Sequence, residues 1–183
     1  LSDGVNDAAA QNVFVSGSDV YVVGFEIVNF KSVAKLWKNG VGTSLTNGIN
    51  SAGAISVFVS GSDVYVSGYE RNGIKDVAKV WKNGTATNLT DASKNGRATS
   101  VYVSGTDVYT TTTEQDLNTG FTTSKVWKNG VPTTLTNGTT NASVKPVFVS
   151  GTDAYVAGTD GAFAKVWKNG IATNLNLAVN PAI

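Results

Sequence analysis

The sequence predicts an all-β protein built from four copies of one unit, and three observations predict it. First, VFVSGSDVYVVGFE…VAKLWKNGVGTSL, beginning at Val13, returns with small edits from Val57, Val101 and Val147. A fixed period of about 45 residues marks a repeat architecture. Second, every copy carries an Asn-Gly pair between two β-type runs: Asn39-Gly40, Asn83-Gly84, Asn129-Gly130 and Asn169-Gly170. That pair is the strongest short-range hairpin signal, because both turn positions need positive φ. Third, the runs are short, rich in Val, Tyr, Phe, Trp and Thr, and closed by Gly, Asn, Asp or Ser, as strands are.

Within the second unit the expected strands are A, Val57 to Val59; B, Val64 to Glu70; C, Val77 to Trp81; and D, Thr85 to Leu89. Ser60-Gly61-Ser62-Asp63 turns A into B, Arg71-Asn72-Gly73 begins the loop from B to C, and Lys82-Asn83-Gly84 turns C into D. A stretch such as Thr46 to Gly53 is too long for a tight hairpin and suits a crossing to the next sheet's inner strand. Four antiparallel strands followed by a crossover, repeated, is the blade pattern of a β-propeller. One domain spanning 1–183 is expected, with blades at about 12–46, 56–90, 100–136 and 146–177. Pro132 falls in an outer strand D and Pro146 just before a strand A, places that tolerate a missing N–H.

The B–C hairpins share one register. If Glu70 faces Val77, then Gly68 faces Lys79; the same pairing sets Gly24 against Lys35, Thr112 against Lys125 and Gly158 against Lys165. The loops so closed hold six, six, eight and two residues. Their differences are even, so every side chain keeps its face.

Composition narrows the function classes. The formal net charge is +1 with 15% charged residues, and the basic residues do not cluster, which argues against nucleic acid as partner. No apolar run approaches the roughly 18 residues of a membrane span. With neither Cys nor His, no thiolate, imidazole base or Ser-His-Asp arrangement exists. The chain opens on Leu1 and contains no Met, so a processed chain or a fragment is expected.

The recurring residues read as structural. Trp37, Trp81, Trp127 and Trp167 sit at one position of strand C and are expected to fill the wedge between blades, with ligand stacking as the alternative. Lys35, Lys79, Lys125 and Lys165 share that face, diagonal to Glu26, Glu70, Glu114 and Asp160. An ion pair per blade is expected, the lysine stem crossing the facing glycine; a lysine ring for an anionic ligand is the alternative. Asp19, Asp63, Asp107 and Asp153 close turns and are expected to satisfy backbone groups. Asp3-Gly4-Val5-Asn6-Asp7 is the nearest approach to a calcium loop, and it lacks the alternating acids.

Through VFVSGSDVYVSGYE and VAKVWKNGTATNL, residues 13 to 175, the chain resembles bacterial β-propellers recently amplified from near-identical blades. The resemblance implies fold more than activity. It lacks the Gly-His and Trp-Asp signatures of WD40 blades and the cysteine closure of hemopexin-like domains, so closure is expected to rest on the first blade packing against the last. A single four-bladed ring is expected; the alternative is half of an eight-bladed ring completed by a second chain as a homodimer.

The A–B and C–D turns barely vary, whereas the B–C loops differ in length and chemistry. Variation on one face is where a repeat scaffold carries recognition. Ile27, Phe30, Arg71, Leu117 and Phe121 are the candidate partner-binding residues. No catalytic, cofactor or metal residue is expected, nor an enzyme. The expected function is non-enzymatic binding or scaffolding, a protein–protein interaction at a bacterial cell surface, with an extracellular or periplasmic location. A lectin-like carbohydrate-binding propeller with a glycan partner, or a structural spacer of a larger surface protein, are the alternatives.

Overall fold

The computed structural model describes residues 6–175. Asp3 to Val5 of the calcium-like segment, and the end of the fourth expected blade, lie outside them. All described secondary structure is β. Blade 1 holds β1 (Ala8–Ser16), β2 (Asp19–Val28), β3 (Lys31–Lys38) and β4 (Val41–Ser44). Blade 2 holds β5 (Ala52–Ser60), β6 (Asp63–Arg71), β7 (Asp76–Lys82) and β8 (Thr85–Asn88). Blade 3 holds β9 (Asn95–Ser104), β10 (Asp107–Gln115), β11 (Thr122–Lys128) and β12 (Val131–Thr134). Blade 4 holds β13 (Ala142–Ser150), β14 (Asp153–Asp160), β15 (Phe163–Lys168) and β16 (Ile171–Asn174). Each is a separate antiparallel sheet with its strands in chain order, which makes the protein a four-bladed all-β propeller fold.

The hairpin register is the expected one: Gly24 faces Lys35, Gly68 faces Lys79, Thr112 faces Lys125 and Gly158 faces Lys165. Pairing runs further toward the loops than expected, so blade 1 turns on Asn29-Phe30 alone, with Val28 facing Lys31. The inner strands also begin earlier, at Ala8, Ala52, Asn95 and Ala142. Pro146 lies within β13, at an interruption of its ladder, rather than before the strand.

At the face opposite the B–C loops the four units repeat one clamp. Asn39, Asn83, Asn129 and Asn169 hold φ near +50°, and each side-chain oxygen accepts the N–H that opens the second strand, at 2.8 Å. Each amide donates to the turn aspartate, at 2.7–2.8 Å. The same aspartates pair with Lys38, Lys82, Lys128 and Lys168 at 2.7–2.8 Å. The lysine contact, then the asparagine amide, holds these carboxyls below their ordinary 3.8, and the aspartate contact raises the lysines above 10.5.

A depressed carboxyl contributes stability that is complete above 3.8 and lost as pH falls through the lowered folded value. A raised lysine contributes stability present below 10.5 and lost as pH rises through its folded value. No His or Cys titrates between. The melting temperature should therefore be level from about pH 5 to 9 and drop in acid below about 4, less steeply at high salt because the pairs face water. A midpoint unchanged down to about pH 2 would remove the clamps as a source of stability.

The core lies between blades. From blade 1, Tyr21, Val23, Ala34 and Leu36 meet Ala54, Val57, Val59, Val66 and Trp81 of blade 2. Tyr109, Val126 and Leu135 of blade 3 meet Val147, Val149, Val156 and Trp167 of blade 4 in the same way. All four tryptophans are buried, and Trp81 and Trp167 fill wedges between neighbouring blades as expected. Phe14, Phe58, Tyr102 and Phe148 continue from blade to blade, with ring centroids 4.8, 4.8 and 5.3 Å apart.

The expected closure of the first blade on the last is corrected. Extensive packing joins blade 1 to 2, 2 to 3 and 3 to 4, but among the described residues no comparable packing joins blade 1 to blade 4, as a closed ring was expected to have. The blades form an open arc.

Candidate functional site

Each inner strand carries one extra residue near its loop-side end. Gln11, Ile55 and Thr99 have no partner across the hairpin, and Lys145-Pro146 oppose Ala157 alone. Two residues against one is a β-bulge, which bends the strand and re-aims a side chain. The facing glycines exist for this bend. A Cβ on Gly24, Gly68 or Gly158 would overlap the carbonyl oxygen of Ala9, Gly53 or Ser143. The space beside the glycine is thus occupied by bulge backbone, and not only by a lysine stem as expected. In blade 3 the position is Thr112, buried, with its hydroxyl accepting from Trp127 Nε1 at 2.9 Å.

The four bulges point at one place. Gln11, Ile55, Thr99 and Lys145, one residue per blade, line a single cavity of about 490 Å³. Thr111, fully buried, ties two of these bulges together: its hydroxyl donates to the Lys145 carbonyl at 3.0 Å and lies 3.0 Å from the Thr99 hydroxyl. Phe25, Tyr69 and Arg97 add to the lining, with Gly53 and Ala54 beside the Ile55 bulge. Phe25 and Tyr69 come from the loop-side halves of β2 and β6, so the cavity sits at the end of the arc that bears the B–C loops.

Arg97 is anchored from behind. Its guanidinium stacks on Tyr69 at 4.1 Å and reaches Asp76 at 2.6 Å. Asp76 is 1% exposed, accepts Arg71 Nε at 3.4 Å, and its N–H donates to Asn95 Oδ1 at 2.8 Å. Charge-assisted contacts of this kind satisfy a carboxylate that would otherwise be costly to bury. The constellation joins blade 2 to blade 3 and occurs once among the described residues; Ser32, Thr122 and Ala162 stand where Asp76 stands, five residues before the strand-C tryptophan.

The sequence-level candidates all lie on this face, with different roles. Phe30 is fully exposed, at φ +63°, a conformation uncommon for a bulky residue. Leu117 and Phe121 are also exposed. Ile27 is half-buried, paired with Ser32, and Arg71 is committed to Asp76. Ile49 and Ile74, unnoticed in the sequence, add exposed apolar surface beside them. The structure does not gather the five around one pocket; the cavity belongs to residues the sequence did not single out. A signal existed in the inner strands, where the residue two before the repeated Val-Phe/Tyr-Val is Gln, Ile, Thr or Lys.

Carboxylate chemistry is committed to structure. Glu26, Glu70, Glu114 and Asp160 bind Lys35, Lys79, Lys125 and Lys165 at 2.8–2.9 Å. Asp91 and Asp116 accept backbone N–H groups of Ser93 and Asn118 at 2.8 and 2.9 Å, which holds both below the ordinary 3.8. Among the described residues no cluster of three acids could hold a metal ion. What the cavity offers is a cation, Lys145, beside a second anchored one, with aromatic walls and two polar side chains.

No protein-family model matches the chain, and no curated protein matches it in sequence. Among solved structures it is similar to oligopeptidase B from Trypanosoma brucei with covalently bound antipain, in the closed form, at a TM-score of 0.53 and 14% identity. The likeness covers 92% of this chain and 27% of that one. At such identity it concerns the fold alone, and the chain spans about a quarter of that protein's length.

Proposed function

We propose that the chain is a non-enzymatic binding module that takes a protein partner on its loop-bearing face, with an acidic side chain of the partner entering the bulge-lined cavity. The observation that carries this reading is the convergence of four chemically different side chains, Gln11, Ile55, Thr99 and Lys145, on one cavity. Repeated units bring a single position to one place, and that position differs in every unit while the Val-Phe/Tyr-Val-Ser-Gly run that follows it recurs. Exposed Phe30, Ile74, Leu117 and Phe121 flank it on the same face, as an apolar contact area for a polypeptide. Carboxylates held in ion pairs speak for binding rather than acid–base catalysis. Low charge and abundant Ser, Thr, Asn and Gly support a bacterial cell-surface setting, and the near-identical units support an amplified bacterial propeller.

A lectin with one site per blade needs equivalent sites. The B–C loops and the bulge residues both differ, which places that reading second; a spacer role would need neither the cavity nor the exposed aromatics. Panning the folded chain against a displayed peptide library and a glycan array tests the order. Peptides with an acidic residue among apolar ones should be enriched, and Lys145→Gln should weaken them about tenfold or more, the worth of a charge-assisted hydrogen bond. Glycan binding at several equivalents per chain, without peptide enrichment, would reverse it.

A further inference from the structure

Among the described residues no blade covers either end of the arc, and each end carries counterparts of positions that are buried three times within the chain. On the leading face, Val57, Val101 and Val147 are 3–4% exposed and Val59, Val103 and Val149 6–7%, whereas Val13 and Val15 are 58% and 60% exposed. On the trailing face, Val23, Ser67 and Thr111 are fully buried; their counterpart in blade 4, Ala157, is exposed. Phe148, 57% exposed, ends the aromatic row that Phe14 begins. Among the described residues no blade stands before the first or after the fourth, and Val13, Val15 and Ala157 are the counterpart positions left exposed, while Trp37 on the leading face is covered.

A surface that fits its neighbour three times over fits the same neighbour on another molecule. Head and tail faces are different patches, so their contact is heterologous, and such contacts close into a ring when the rotation allows. Propellers typically hold four to eight blades; two copies make eight and three would exceed the range. We propose that two copies of this chain join head to tail at both ends, the Val13 face of each on the Ala157 face of the other, as a closed eight-bladed ring. One internal contact does not recur there. Asn12, Ser56 and Ser100 accept the N–H of Val57, Val101 and Val147 at 3.2–3.4 Å, but the fourth such position is Pro146, which has no side-chain acceptor. The junction between copies rests on apolar packing and is the joint that separates first on dilution.

Light scattering across a concentration series tests this on the whole chain. The expected mass is twice the chain's 19.0 kDa, falling to one chain at low concentration. Val13→Asp and, separately, Ala157→Arg put an unpaired charge into opposite sides of the joint. Each should raise the dimer dissociation constant by at least about a hundredfold, with the circular dichroism spectrum of the parent. Phe30→Ser, on the loop face, should leave the mass unchanged. A single-chain mass at every concentration, growth beyond two copies, or a dimer indifferent to both charged variants would each overturn the closed pair. Because the readout is mass, the result stands apart from whether the loop-bearing face binds a peptide.

Discussion

Gly68→Ala is expected to cost about 3 kcal/mol or more, the upper end of what overpacking does, and to lower the urea midpoint accordingly. The reason is backbone on backbone. The added methyl would overlap the carbonyl oxygen of Gly53 and crowd the Cα of Ala54, and neither atom belongs to a side chain that can swing aside. Relief requires opening the bulge at Ile55, which would also pull Ala54 and Val57 out of the contact between blades 1 and 2. Set against a total stability of about 5–15 kcal/mol for a domain, that is a large fraction. A variant that loses less than about 1 kcal/mol would show that the bulge yields cheaply, and that glycine there serves something else. Gly61→Ala is a useful comparison: it sits in an open turn with nothing near the added methyl, and only its φ of +58° resists.

Trp81→Ala is the second large effect, at about 3–5 kcal/mol, as for other buried Trp truncations. Trp81 is fully buried within the cluster shared by blades 1 and 2, and its removal leaves a void that strands paired on both sides cannot collapse to fill. Substitution by Phe separates packing from polarity. Trp167 Nε1 donates to the Leu135 carbonyl of the neighbouring blade at 3.1 Å, whereas Trp81 Nε1 is buried without a partner. Trp167→Phe should therefore cost about 1 kcal/mol more than Trp81→Phe. Chemical denaturation of the two variants side by side measures the difference, and equal costs would mean that the Leu135 contact adds nothing.

The periodic part of this fold was legible in the residues. Alternation and even loop differences placed Gly24 opposite Lys35 and brought each strand-C lysine to its acid, because a strand's faces are fixed by counting in twos. Asn83-Gly84 named its own turn. Where a local rule gave no purchase, the sequence was silent. A bulge breaks the count by one residue, and within one unit nothing in Ala54-Ile55-Ser56 announces which of the three steps out of the ladder; only comparison of the four units marks the position as variable. Asp76 and Arg97 lie on different blades, so their meeting depends on how sheets stand side by side. Val13 and Val57 share identical sequence surroundings, Val-Phe-Val-Ser-Gly-Ser-Asp, and differ only in whether another sheet stands before them; closure could not be read from either.

The bulges also separate two pressures that usually conflict. Gln11, Ile55, Thr99 and Lys145 stand outside the ladder, so the strand pairs that hold each sheet together do not depend on what side chain is there. An evolving or engineered descendant could rewrite those four letters freely and so change what the molecule greets, while the architecture that displays them is inherited intact.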